Sequence, residues 1–257
     1  LGLSLDEDFC FEEFADRVAE LVEKHVNINR LLELTKPVAT AVVPISAGRH
    51  IYKREPSFPL AVACDPAFNF VYEANIRYLH HLGEVTYFSP LADTSLPDAG
   101  FVYLPGGYPE LYLAALSANR QMLQSIRRYV ESGGKLLAEC GGMMYLCDEI
   151  RDKNGYVYPM AGVLHQSATM ENMKLRLGYR TLLYNETRLK GHEFHYSRLV
   201  EQQNPLPSCA VAYTAKGVET DTPLYHYKNV WAGYTHLYWA DPVGNEWFTK
   251  FVIDGNT

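Results

Sequence analysis

The chain has 257 residues, 47% of them hydrophobic and 21% charged, with a formal charge of −7 and a sequence pI of about 5.7. That length suits one large α/β domain, or one domain with part of another. The acidic balance and the lack of a clustered basic run argue against a nucleic-acid partner, and no apolar stretch is long enough to predict a bilayer span.

Asp6, Glu7 and Asp8 stand where a secretory signal would need basic residues, so no signal peptide is expected. Cys10, Cys64, Cys140, Cys147 and Cys209 are scattered and form no CxxC pair. Neither a metal site nor a disulfide framework is expected, and a reducing cytoplasm suits the chain best. Opening on Leu1 rather than Met suggests a piece of something longer.

Residues 12–26 predict an amphipathic helix, because Phe14, Ala15, Val18, Leu21 and Val22 recur at spacings of three and four. Residues 35–58 hold Pro37, Pro44, Gly48 and Pro56 with no clear period, and read as a linker with a domain boundary near residue 58. Beyond it, strands and helices alternate. Strands are predicted at 60–64, 85–88, 101–104 and 135–138, and helices at 69–82, 119–131 and 141–149. That rhythm predicts an open, mostly parallel sheet flanked by helices. The second half carries extra strands at 176–183, 193–200, 210–215 and 230–235, and residues 242–253 close the chain as a helix.

The run Lys135-Leu-Leu-Ala-Glu-Cys-Gly-Gly-Met-Met-Tyr-Leu146 ends a buried strand on a cysteine and starts a helix through two glycines. This is the nucleophile elbow in cysteine form. The following helix would turn its positive end to the sulfur and favour thiolate over thiol. The alternative is a buried structural cysteine. Cys147 lies seven residues on and reads as core. A second Gly-Gly turn closes the strand Phe101-Val-Tyr-Leu-Pro-Gly-Gly-Tyr-Pro-Glu110, and its backbone N–H groups suit an oxyanion. Among the histidines, His236 lies at a late strand end before the last helix, which suits a base delivered to Cys140. His192 and His195, three apart on one strand, point to opposite faces and do not suit one metal.

The Cys140 elbow, the Pro-Gly-Gly-Tyr-Pro-Glu turn, Cys64-Asp-Pro-Ala-Phe-Asn-Phe70, Leu177-Gly-Tyr-Arg180 and Gly191-His-Glu-Phe-His-Tyr-Ser197 together resemble the carboxyl-terminal glutaminase domain of cobyrinate a,c-diamide synthases. The likeness assigns residues 59–257 to that domain, 35–58 to a linker and 1–34 to the tail of an amino-terminal ATP-dependent synthetase domain. It implies the flavodoxin-like fold of class I glutamine amidotransferases. It implies Cys140 as nucleophile of a thioester mechanism, His236 as base, and Gly107 and Gly141 as oxyanion donors, with Gly106 beside them in the substrate-binding turn. The wider class has a Glu two residues after the His. Here that position is Tyr238, a lack shared by the cobyrinate and cobyrate branch. Glu193 is then a candidate orienter by strand proximity, with anchoring of its own strand as the alternative.

The resemblance also names partners. Glutamine is the substrate, and ammonia passes to a synthetase domain that uses ATP and Mg²⁺ to amidate the a and c carboxylates of a corrin. No Gly-x-x-x-x-Gly-Lys-[Ser/Thr] loop occurs in this sequence, so no cofactor is expected in this chain and ammonia supply is its expected share. A homo-oligomer is compatible with the sequence. Rival readings are the glutaminase half of a hydrogenobyrinate, nickel-sirohydrochlorin or cobyric acid amidase, or a non-catalytic partner domain.

Overall fold

The structure is a computed structural model that describes residues 11–35 and 58–254. The chain divides into two compact units, Leu1–Lys53 and Arg54–Thr257. In the first, α1 (Phe11–His25) and α2 (Ile28–Leu34) are described. Asn27 separates them and caps α2, its side chain accepting from the Arg30 N–H at 2.9 Å. The predicted linker at 35–58 lies outside the described residues, apart from its two end residues.

The second unit opens with β1 (Phe58–Ala63), α3 (Glu73–Leu82), β2 (Gly83–Phe88), β3 (Phe101–Leu104), α4 (Leu113–Ala118), α5 (Arg120–Glu131), β4 (Lys135–Glu139) and α6 (Gly141–Leu146). There follow β5 (Glu149–Arg151), β6 (Val157–Pro159), β7 (Ser167–Thr169), β8 (Arg176–Tyr184), β9 (Thr187–His195), β10 (Arg198–Leu199), β11 (Val211–Thr214), β12 (Glu219–Thr220), β13 (Leu224–Tyr227), β14 (Val230–Gly233), β15 (His236–Tyr238) and α7 (Pro242–Thr249). The central sheet has the order β13-β14-β4-β3-β1-β2. All its pairings are parallel except β13 with β14. A second, antiparallel sheet has the order β12-β11-β8-β9-β15, and a third the order β10-β7-β5-β6. The α/β class and the extra strands of the second half agree with the sequence.

Alternation along the central strands makes two cores. Ala61, Val102, Leu104, Leu136, Ala138 and Ala232 face one side, against Met122 and Ile126 of α5 and Met143 of α6. Leu60, Phe101, Tyr103, Leu137 and Trp231 face the other, against Trp247 and Phe248 of α7 and Leu182, Leu189 and Leu237 of the antiparallel sheet. The site therefore lies where the central sheet meets the antiparallel one.

Several boundaries differ from expectation. The helix predicted at 69–82 begins only at Glu73. Asp65 accepts from the Ala67 and Phe68 N–H groups, and Phe70 bridges to Gly106, so 65–70 is held as a loop. The helix predicted at 141–149 ends at Leu146, because Cys147 takes an extended ψ of 169°. The strand predicted at 193–200 begins at Thr187 and breaks after His195. The strand predicted at 230–235 stops at Gly233, and His236 starts a different strand in a different sheet.

Candidate active site

At the carboxyl end of β4 the backbone turns sharply. Cys140 adopts φ 49° and ψ −106°, a conformation that costs a non-glycine residue of order 1–3 kcal/mol. The surroundings hold it: the Cys140 N–H donates to Gly233 O at 2.8 Å, and the Met144 N–H donates back to Cys140 O at 3.0 Å. Gly142 is required, because a Cβ there would stand 2.1 Å from the Leu104 carbonyl oxygen.

The loop after β3 forms the opposing wall. The Gly107 nitrogen lies 3.3 Å from where a Cβ on Gly141 would stand, so the two predicted oxyanion donors share one corner. Gly106 lies against His236 instead. A Cβ on it would stand 2.2 Å from Cε1 of His236, and its carbonyl accepts from the Phe70 N–H at 3.0 Å. The loop after β3 thus touches both the elbow and the imidazole.

His236 begins β15, which pairs antiparallel with β9 so that His236 faces His192. Its ring is 3% exposed and packs 4.4 Å from the Phe70 ring centre. Burial, with His192 and His195 nearby, pulls its pKa down to about 3. The imidazole is therefore neutral in this resting geometry, and burial works against its protonation. Among the described residues its Nδ1 has no hydrogen-bond partner, and it stands 3.9 Å from Oε2 of Glu139.

Burial pushes the Cys140 thiol far above its ordinary value, and Glu110, Glu139 and Glu193 push the same way against the Gly141 N–H. These influences favour thiol over thiolate in the resting geometry. This corrects the thiolate expected from the sequence: α6 is only six residues long, and its N-terminus is outweighed by desolvation and three carboxylates. The thiol rests 3.7 Å from the Phe194 carbonyl oxygen on β9, and among the described residues no hydrogen bond joins it to His236. Cys140, Gly107, Glu110 and Phe194 line a cavity of about 20 Å³, room for about one water. Burial lifts the Glu110 carboxyl to about 6.

Glu193, the orienter suggested by strand proximity, has other partners. Arg180 Nε donates to its Oε2 at 2.5 Å, the Thr222 hydroxyl donates to Oε2 at 2.8 Å, and His195 Nε2 meets its Oε1 at 2.8 Å. Among the described residues it makes no hydrogen bond to His236, so it anchors β9 to β8 and to the segment before β13. The carboxylate beside His236 is Glu139, which the sequence reading passed over. Its signal was a carboxylate at the end of a strand whose last four residues are all buried.

Cys147 is buried just past the end of α6, with its Sγ 3.6 Å from Met143 O. Cys147→Ser is expected to cost about 1–2 kcal/mol in urea unfolding and, on the glutaminase expectation, to leave glutamine turnover unchanged. Selective loss of turnover would mark it as the working sulfur.

Residues 59–243 match the CobB/CobQ-like glutamine amidotransferase domain. A cobyrinate a,c-diamide synthase of Picrophilus torridus is 36% identical over 236 residues, 87% of this chain and 49% of that protein. A hydrogenobyrinate a,c-diamide synthase of Stutzerimonas stutzeri is 35% identical over 240 residues, 93% of this chain and 53% of that protein. The chain thus spans about half the length of the curated relatives it matches. A solved glutamine amidotransferase superposes with a TM-score of 0.50 at 17% identity, over 75% of this chain and 98% of that one, and supports the fold. No described helix is long and apolar enough to cross a membrane. With its elbow cysteine, its paired Gly-Gly turn and a match over most of its length, the chain belongs to the family of CobB/CobQ-like glutamine amidotransferase domains.

Proposed function

We propose that this chain hydrolyses glutamine at Cys140 and supplies the ammonia for ATP-dependent amidation of the a and c carboxylates of a corrin. The observation that carries the reading is the strained Cys140 elbow set against the Gly107 turn, with a neutral imidazole at the start of β15 lying against the same loop. His236 takes the thiol proton as Sγ attacks Cδ of glutamine. The oxyanion that develops is met by the N–H groups of Gly107 and Gly141. Collapse expels ammonia, which carries away the proton from His236, and leaves a glutamyl thioester. Water, deprotonated by the same imidazole, releases glutamate.

The amidation, with its ATP and Mg²⁺, falls to the part of the relatives' length that this chain does not span, since these 257 residues hold no phosphate loop. Relatives named for cobyrinate and for hydrogenobyrinate match at similar identity, so the proposal names the corrin a,c-diamide reaction and leaves the central metal to that half.

The test is mass spectrometry after exposure to a glutamine-shaped diazoketone. One adduct, on Cys140, is expected. His236→Asn should slow its formation by on the order of 10²–10⁴-fold. Labelling of another cysteine, or none while a generic thiol reagent still reaches Cys140, would count against the reading. An unchanged rate in His236→Asn would move the base elsewhere.

A further inference from the structure

Glu139 is the last residue of β4 and the immediate neighbour of the nucleophile. Strand alternation sends Ala138 into one core and Glu139 to the other side, with Tyr103. There it is 2% exposed. Its Oε2 accepts from the Tyr103 hydroxyl at 2.7 Å, and its Oε1 accepts from the Leu237 N–H at 3.0 Å. One carboxylate thus ties the strand of the nucleophile to the residue that follows the base. The same Oε2 stands 3.9 Å from His236 Nδ1, a buried nitrogen with no other partner among the described residues. Tyr238, where the wider class has its carboxylate, is 37% exposed and packs edge-on against Tyr72.

We propose that Glu139 is the positioning residue for His236: its carboxylate accepts the Nδ1–H as the site closes and leaves Nε2 to exchange the proton of Cys140. The inference rests on the glutaminase reading above. The logic is that of any imidazole base whose far nitrogen is held by a carboxylate, which fixes the tautomer and steadies the imidazolium as it forms. The gap to close is about 1 Å, and Tyr103 and the Leu237 N–H hold the carboxylate in place while it closes.

The inference carries a pH signature. Burial raises Glu139 to about 7, against the bonds from Tyr103 and Leu237. The other titratable groups that face it lie far from neutrality: Tyr103 is pushed well above its ordinary value, Tyr72 stands at about 12, Cys140 is held as a thiol and His236 lies at about 3. His192, beyond His236, is lowered by burial. Turnover should therefore rise with pH through about 7 as Glu139 ionises.

The experiment measures glutamine hydrolysis against pH in the full-length protein, alongside labelling of Cys140 by the diazoketone. Glu139→Gln should lower kcat on the order of 10²-fold or more, hold KM within about twofold, and erase the rise near neutrality. Tyr103→Phe keeps the carboxylate but removes a donor to its charged form, and should shift the rise to higher pH. A wild-type kcat and pH profile in Glu139→Gln overturns the proposal. If that variant does not fold, an unmoved profile in Tyr103→Phe overturns it equally. Wild-type protein that neither turns over glutamine nor takes label at Cys140 would remove the glutaminase reading and this inference with it. Normal wild-type turnover with an indifferent Glu139→Gln would remove this inference alone.

Discussion

Cys140→Ala in the full-length protein is expected to remove glutamine-dependent amidation by on the order of 10⁴-fold or more, while amidation fed by ammonium salts is kept. In the proposed mechanism Sγ forms the thioester, and alanine offers no nucleophile in its place. The substitution should do little else. The side chain is small, its polar contacts are the 3.7 Å approach to Phe194 O and the Gly141 N–H, and the backbone of the elbow is held by Gly233 and Met144. Parallel assays with glutamine and with ammonium decide the matter. Equal loss of both would mean that the residue supports the fold or the domain pairing and performs no chemistry of its own.

Arg180→Met should be the most destabilising of the changes considered. Arg180 and Glu193 are 9% and 1% exposed, and the pair is completed by Thr222 and His195. Burial would raise the Glu193 carboxyl, but bonds from His195 and Thr222 and the charges of His195 and Arg180 hold it below its ordinary value. Removing the guanidinium strands a carboxylate in the interior, which costs about 3–5 kcal/mol. Because the folded pKa is depressed, this stabilisation is complete above the unfolded carboxyl pKa and fades as pH falls through the folded one. Urea unfolding at neutral and acidic pH reads both effects: the variant should lose most at neutral pH and least in acid. A loss under about 1 kcal/mol would mean that water already reaches the pair.

What the sequence disclosed depended on how local the cause was. β3 and β4 were legible because Phe-Val-Tyr-Leu and Leu-Leu-Ala are buried on both faces and stop at glycines. α5 was legible from its strong apolar stripe and the Gly133-Gly134 stop. The elbow was legible because strained turns demand glycine. The start of β9 was hidden, since Thr-Arg-Leu-Lys alternates only weakly and its hairpin turn uses Asn185 and Glu186 at φ 43° and 67°. Glu at the second position gives none of the Asn-Gly signal that marks such turns. β5, β6 and β7 are three residues each and owe their form to their partners rather than to a pattern. In the site, Cys140 and His236 could be picked by residue type and order. The protonation of the sulfur could not, because it depends on three carboxylates brought in from β4, β9 and the loop after β3. Glu139 escaped for the same reason, as its partners are 36 and 98 residues away in sequence.

β9 holds both halves of the chemistry. The thiol leans on its Phe194 carbonyl, and the strand of the imidazole pairs with it at His192. The elbow itself belongs to the central sheet, built largely of parallel strands, whereas β9 and its base belong to the antiparallel one. Local opening of the β8–β9 hairpin would therefore separate Cys140 from His236 while the central sheet stayed intact. Inactivation then becomes a sub-global event, reached at lower free energy than full unfolding, so catalysis should fail in mild denaturant before the far-ultraviolet signal of the fold begins to change.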